Sequence, residues 1–273
     1  MNYTVLCFIY TLCALHHTAF SDRIVSLGSA VTEIVVALDA DDQLVGVDDS
    51  SLFPEIPQEV PTVGYYRMVS AEGILSVRPN LILSTEDAGP PEAIQKIKNS
   101  RVPFVQVTAE KSLQATAERI RTLGETLHKE EAAEELLVPI ENRIAHPLPP
   151  LDPAPRVLFI FARGGGSPSV SGKGTGADYM IQLAGAQNAV TAFKGYRPLT
   201  AEGLIISQPD VILITQEGLE AMGGEKALWA LPGMANTPAG THKRCVVMET
   251  VFLLGFGPNV VEAADYLRNG LEL

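Results

Sequence analysis

Cysteine is scarce in this chain of 273 residues: three are present, at positions 7, 13 and 245. The first two fall in an N-terminal stretch that reads as a removable leader, so one thiol remains and no internal disulfide can form. Stability must come from core packing. Basic runs are also missing; the net charge is −12 and no Lys/Arg-rich segment occurs, which excludes a nucleic-acid binder working by counterion displacement. Beyond the leader, histidine is limited to His128, His146 and His242. No G-x-S-x-G, H-E-x-x-H or Cys/His zinc spacing is present, and the three read as surface side chains. Long apolar runs are absent too. The most apolar stretch, Val5 to Leu15, is too short for a permanent membrane span but has the length of a signal-peptide core. Residues 1–20, MNYTVLCFIYTLCALHHTAF, hold no Lys, Arg, Asp or Glu, so the usual basic start is missing and only the terminal amine is positive. Export through a signal peptide is the expectation. Tyr10-Thr11-Leu12 ahead of Cys13 lacks the small residue that a lipidated cysteine wants, so no lipid anchor is expected.

With 46% apolar and 19% charged residues the chain suits a globular α/β protein. From Arg23, RIVSLGSAVTEIVVALDADDQLVGVD reads as a strand, a turn, an amphipathic helix and a second strand, with Ser29 expected at the helix cap. Further strands are predicted at Leu81 to Ser84 and Phe104 to Val107, with a helix over Glu92 to Asn99 between them. Strands alternating with helices imply parallel pairing. Ile120, Leu123, Leu127, Leu136, Leu137, Ile140 and Ile144 recur mostly at helical spacing. One long helix over 112–146 is therefore expected, roughly 40 to 50 Å if continuous, until the proline-rich run from Pro147 ends it. The domain reading is a signal peptide at 1–20, an α/β lobe at 21–111, the linking helix at 112–146 and a second α/β lobe at 147–273. An internal repeat supports two lobes: Ser70 to Ser84 aligns without gaps on Thr200 to Ile214, each a capped short helix, a proline turn and a strand. The same offset sets Tyr66-Arg67 against Tyr196-Arg197.

The glycine-rich stretch 164–176 fails as a P-loop. Ser167 stands where the first glycine belongs, and Gly174 follows Lys173 in place of Ser or Thr. Its match to G-x-G-x-x-A lacks the acidic partner of a dinucleotide site, so a loop lining a cleft is the better reading, with an α/β enzyme using it on a phosphate-bearing substrate as a rival. Tyr65, Tyr66 and Arg67 allow two readings. They could be packing aromatics with a solvated arginine, or they could line a cleft between lobes, where α/β folds bind ligands. A phenolate is a hard ligand for ferric iron, and a nearby guanidinium lowers the cost of ionising a phenol. Glu72 and Glu202, each at a helix start, suit the helix dipole; as matched carboxylates on two lobes they would also fit a two-fold partner carrying arginines.

These phrases, with VGYYRMVSAEG as the most specific, together with TGADYMIQLAGAQNAV and GYRPLTAEGLIISQPDVILI, resemble the periplasmic haem-binding proteins of bacterial haem-uptake ABC transporters. That group lies within the wider class that also binds siderophores and cobalamin. The resemblance covers nearly the whole mature chain. It implies a non-enzymatic carrier with two Rossmann-like lobes of parallel sheet, one long linking helix, haem b in the cleft and no large hinge closure. It further implies Tyr65 as axial iron ligand, Arg67 as its support, and Glu72 and Glu202 docking on an inner-membrane ABC permease dimer. Tyr66 beside Tyr65 leaves the ligand ambiguous. Arg163 stands where some relatives place a histidine, so the resemblance implies five-coordinate iron, or a propionate contact by Arg163, with Tyr196 and Arg197 on the facing wall. A monomer is expected, with a ferric siderophore or cobalamin as the alternative cargo.

Overall fold

Alternation of side chains along short strands decides how each lobe is built. The computed structural model describes residues 22–51, 56, 59–164 and 166–272; the leader expected at 1–20 lies outside the described residues. In the first lobe β1 (Ile24–Leu27), α1 (Ser29–Ala37), β2 (Leu44–Val47), α2 (Ala71–Ser76), β3 (Leu81–Thr85), α3 (Pro91–Asn99) and β4 (Phe104–Val107) follow one another. The strands form a wholly parallel sheet in the order β2-β1-β3-β4. Ile24, Leu81 and Leu83 face one apolar cluster, whereas Val25, Leu27 and Ile82 face another beneath α2 and α3. Both faces are thus buried, as parallel sheets require. Ser29 does not cap α1: it is the first helical residue, and Gly28 holds the cap position with no side-chain bond.

The expected single rod is two helices. α4 (Leu113–Thr126) and α5 (Glu130–Ala145) are separated by Leu127-His128-Lys129, with His128 left-handed at φ 54°. They fold back on each other as a hairpin. Gly124 allows the close approach, since a Cβ there would lie 2.5 Å from that of Ala133, and Arg121 pairs with Glu141 across it. Periodicity is continuous through the break because both helices bury their apolar stripes in the same core, so it could not reveal the turn. Pro139 lies inside α5 without ending it.

The second lobe runs β5 (Arg156–Phe161), β6 (Ser169–Ser171), α6 (Gly176–Leu183), β7 (Gln187–Asn188), β8 (Tyr196–Pro198), α7 (Ala201–Ser207), β9 (Val211–Thr215), α8 (Gln216–Ala221), α9 (Glu225–Trp229), α10 (Pro238–His242), β10 (Cys245–Met248), α11 (Thr250–Leu254) and α12 (Val260–Leu271). Its sheet has the order β10-β9-β5-β6-β8, with β7 also on β5. Here the expectation of parallel sheets needs correction, because β6 is antiparallel to both β5 and β8. The connection from Ala162 to Pro168 is too short for the crossover a parallel neighbour needs. The repeat itself is structural. Ser70 and Thr200 cap α2 and α7 by accepting from the amides of Gly73 and Gly203 at 3.2 and 3.0 Å, and β3 and β9 keep the same offset.

One apolar cluster runs through both lobes, from Ile24 and Ile34 through Ile120, Leu137 and Ile140 to Phe159, Leu213 and Leu267. A second contact joins the second lobe to α4 and to Lys111 just ahead of it. The buried Phe256, between α11 and α12, offers its carbonyl to Arg119 at 2.8 Å and to the Thr116 hydroxyl at 3.1 Å, and Lys111 donates to the Gly255 carbonyl at 3.1 Å. Arg143 of α5 grips Asp265 of α12 with one nitrogen on both carboxylate oxygens, at 2.8 and 2.9 Å.

Candidate functional site

The loop after β2 is folded by backbone bonds before any side chain of the site is placed. Val47 accepts from Val63 at 2.9 Å, and Asp49 donates to the Gly64 carbonyl at 3.1 Å. Gly64 sits at φ 91°, where a side chain would be strained, and the chain turns there into an extended Tyr65 and a single 3-10 turn at Tyr66–Met68. The loop after β3 clasps this turn from the other side: Gly89 donates to the Tyr66 carbonyl at 2.9 Å, and Val69 to the Gly89 carbonyl at 2.8 Å. Asp87 is thereby fixed opposite Arg67.

Four side chains converge. The Tyr65 and Tyr66 rings meet edge to face at 4.9 Å, the Arg67 guanidinium lies over the Tyr66 ring at 5.1 Å, and Arg67 forms an ion pair with Asp87. The Tyr66 hydroxyl faces the same carboxylate at 3.4 Å. Burial, and then the negative charge of Asp87, push the Tyr66 phenol well above its ordinary pKa, so Tyr66 stays protonated. Burial works against ionised Asp87, but the bond from Arg67 prevails and holds its carboxyl below the usual range. Tyr65 is half-buried.

Behind Tyr66 lies a small recess of about 30 Å³, walled by Gly28, Ser29 and Ala30 at the start of α1, by Thr85 and Asp87, and by Thr108, Lys111 and Arg119. It opens at the C-terminal ends of β1, β3 and β4, where open α/β sheets bind ligands. Burial and then the Arg119 charge lower the Lys111 pKa to about 8.

In the second lobe Arg163 is exposed just beyond β5, and Tyr196, 46% exposed on the edge strand β8, packs its ring 5.7 Å from that of Phe161 on β5. Arg197, next along β8, points to the other face of the sheet. It lies over the Phe193 ring at 4.5 Å and lines an apolar groove with Leu158, Val170 and Leu204. Arg67 stacks on its neighbouring tyrosine whereas Arg197 does not, so the sequence echo is not an echo of side-chain geometry. Glu72 and Glu202 stand exposed in the first turns of α2 and α7. The helix-end amides, then Ser70 and Lys96, lower the Glu72 pKa. Sequence reasoning missed Asp87, Lys111 and Phe161; a carboxylate three residues beyond a predicted strand end was the available signal for Asp87. Among the described residues no group of three His, Cys, Asp or Glu could cage a bare metal ion.

The model of the periplasmic binding protein family matches residues 24–251. The chain belongs to that family. Similar to this periplasmic binding protein is the haem-binding RhuT from Roseiflexus sp. RS-1, in apo form, with a TM-score of 0.83 and 37% identity, covering 91% of this chain and 97% of RhuT. The haem-binding BhuT, in complex with two haems, gives a TM-score of 0.81 at 37% identity over 92% of this chain and 97% of BhuT. A vitamin B12-binding protein of Pectobacterium atrosepticum is 25% identical, over 78% of this chain and 79% of its own.

Proposed function

We propose that this periplasmic binding protein is exported by its leader and carries haem between its lobes to an inner-membrane ABC permease, without catalysing a reaction on it. The observation that carries the reading is the division of labour between the two phenols. The Tyr66 hydroxyl is turned to Asp87 and its ring lies under Arg67, which leaves Tyr65 as the phenol offered to ferric iron. Tyr66 and Asp87 then hold Arg67 in position. Phe161, Tyr196 and Arg163 form the facing wall, aromatic toward a porphyrin and cationic toward its carboxylates. Arg197, pointing to the other face, takes no part. A haem cargo is favoured by structural neighbours at 37% identity, against 25% for the cobalamin-binding relative.

Glu72 and Glu202 are assigned to the permease. Both carboxylates are exposed at equivalent helix starts, and each has exposed apolar neighbours, Met68 at 78% in one lobe and Ile206 at 70% in the other. Titrating the purified protein with hemin and, separately, with cyanocobalamin tests the cargo. A phenolate-ligated haem spectrum with no cobalamin binding is expected; cobalamin binding with a bare hemin spectrum would reverse the assignment.

A further inference from the structure

The start of α1 is bare where a helix usually carries a cap. Gly28 has no side chain to offer, and only its carbonyl serves the helix, accepting from Val31 and Thr32 at 3.0 and 3.2 Å. The first amides of a helix have no acceptor within it, and here Ser29 and Ala30 line the recess behind Tyr66. Two further wall groups carry buried polar atoms outside any well-formed hydrogen bond: Oγ1 of Thr85, a residue 6% exposed whose hydroxyl faces the Asp87 carboxylate, and Nε of Arg119, 1% exposed. The Arg119 case is specific. One terminal nitrogen donates to the carbonyls of Thr108 and Glu110 at 3.1 and 2.8 Å, the other to the Thr116 hydroxyl and the Phe256 carbonyl, both at 2.8 Å. Only its Nε–H is unused. The ammonium of Lys111, which also donates to the Gly255 carbonyl, completes the wall; Asp87, engaged by Arg67 and Tyr66, lines the recess, and Glu33 adds its charge to that of Asp87 on Lys111.

The unused Arg119 Nε–H and the uncapped α1 amides, beside the Lys111 ammonium, are donors that lack an acceptor. We propose that the recess binds a compact oxyanion, a carboxylate or an anion of similar size, against the α1 start, Thr85, Arg119 and Lys111. The anion comes either from solution or as a carboxylate carried by the cargo; the second source rests on the haem reading, since haem bears two propionates.

The two sources are separated by two measurements on the mature protein and on Lys111→Met and Thr85→Val. In the first, thermal unfolding without haem is followed against acetate and inorganic phosphate, with chloride at matched ionic strength as reference. A solution anion raises the wild-type midpoint saturably, and both variants lose most of that rise. In the second, affinities for hemin and hemin dimethyl ester are compared. A cargo-borne carboxylate makes the wild type prefer hemin by about tenfold or more, the preference falling to about threefold or less in the variants while the iron-ligand spectrum is unchanged. Thr85→Val removes a single hydroxyl and decides the matter should Lys111→Met fold poorly. If neither the anion effect nor the ester preference depends on Lys111 and Thr85, the recess is no anion site. A protein that binds no haem at all refutes the cargo reading instead, and the first measurement still decides this one.

Discussion

At the scale of single residues, the site separates two adjacent phenols by their surroundings. Tyr66 is held by Asp87 and by burial, and replacing it with Phe keeps the ring under Arg67 while removing only the hydroxyl that faces Asp87. Haem affinity of Tyr66→Phe is therefore expected to fall by no more than about tenfold, read from absorption titration, with the iron spectrum retained. Lys111 carries a pH dependence whose sign follows from its depressed pKa of about 8 against an ordinary 10.5. Between those values the unfolded chain binds more protons than the folded one, so folding stability rises with pH there; below about 8 both states are protonated and the full penalty of the buried charge applies. Urea unfolding at pH 7 and pH 10 should show wild type gaining on Lys111→Met by on the order of 2 kcal/mol. A constant difference between the two pH values would mean that Lys111 is not desolvated. Cys245, buried enough to push its thiol up to about 12, is expected to react slowly with a thiol reagent until the protein unfolds.

At the scale of elements, α2 and α7 are the clearest products of sequence. Ser70 and Thr200, Glu72 and Glu202, and the strands that follow stand where the repeat sets them. Replacing Thr200 with Ala removes its bond to the Gly203 amide and should lower stability by about 1 kcal/mol, measured by denaturant unfolding. A double replacement of Glu72 and Glu202 by Ala should leave haem affinity intact while import through the permease fails; unaltered import would leave the two carboxylates with only their part at the helix ends. Legibility stopped where nearby residues in the sequence part company in space. Periodicity showed the apolar stripe of 112–146 but not the left-handed His128 that folds it into a hairpin. Tyr196 and Arg197 read as a copy of Tyr66 and Arg67, yet a strand sends consecutive side chains to opposite faces whereas a helical turn does not. Ser29 looked like a cap because Gly28, which cannot cap by side chain, gives no signal of its own. Asp87 and Lys111 follow strand ends with no motif around them, and only the chain's folding brings them to Tyr66.

For the molecule as a whole, the continuous core and the Phe256 contact make the two lobes one packed body. Little closure on cargo is expected: small-angle scattering should give the same radius of gyration with and without hemin. Gly257 is the tight point of the lobe contact, where a Cβ would fall 2.5 Å from a Glu33 carboxylate oxygen. The atoms met are the end of a glutamate side chain that can turn aside, so Gly257→Ala should destabilise by no more than about 1 kcal/mol. The claim that holds the account together is that Tyr65 supplies the iron ligand, and its most direct measurement is the absorption spectrum of hemin bound to Tyr65→Ala beside wild type and Tyr66→Ala. The account predicts that Tyr65→Ala alone loses the phenolate-ligated spectrum, with affinity lower by about a hundredfold. A spectrum that survives in Tyr65→Ala and disappears in Tyr66→Ala would contradict it.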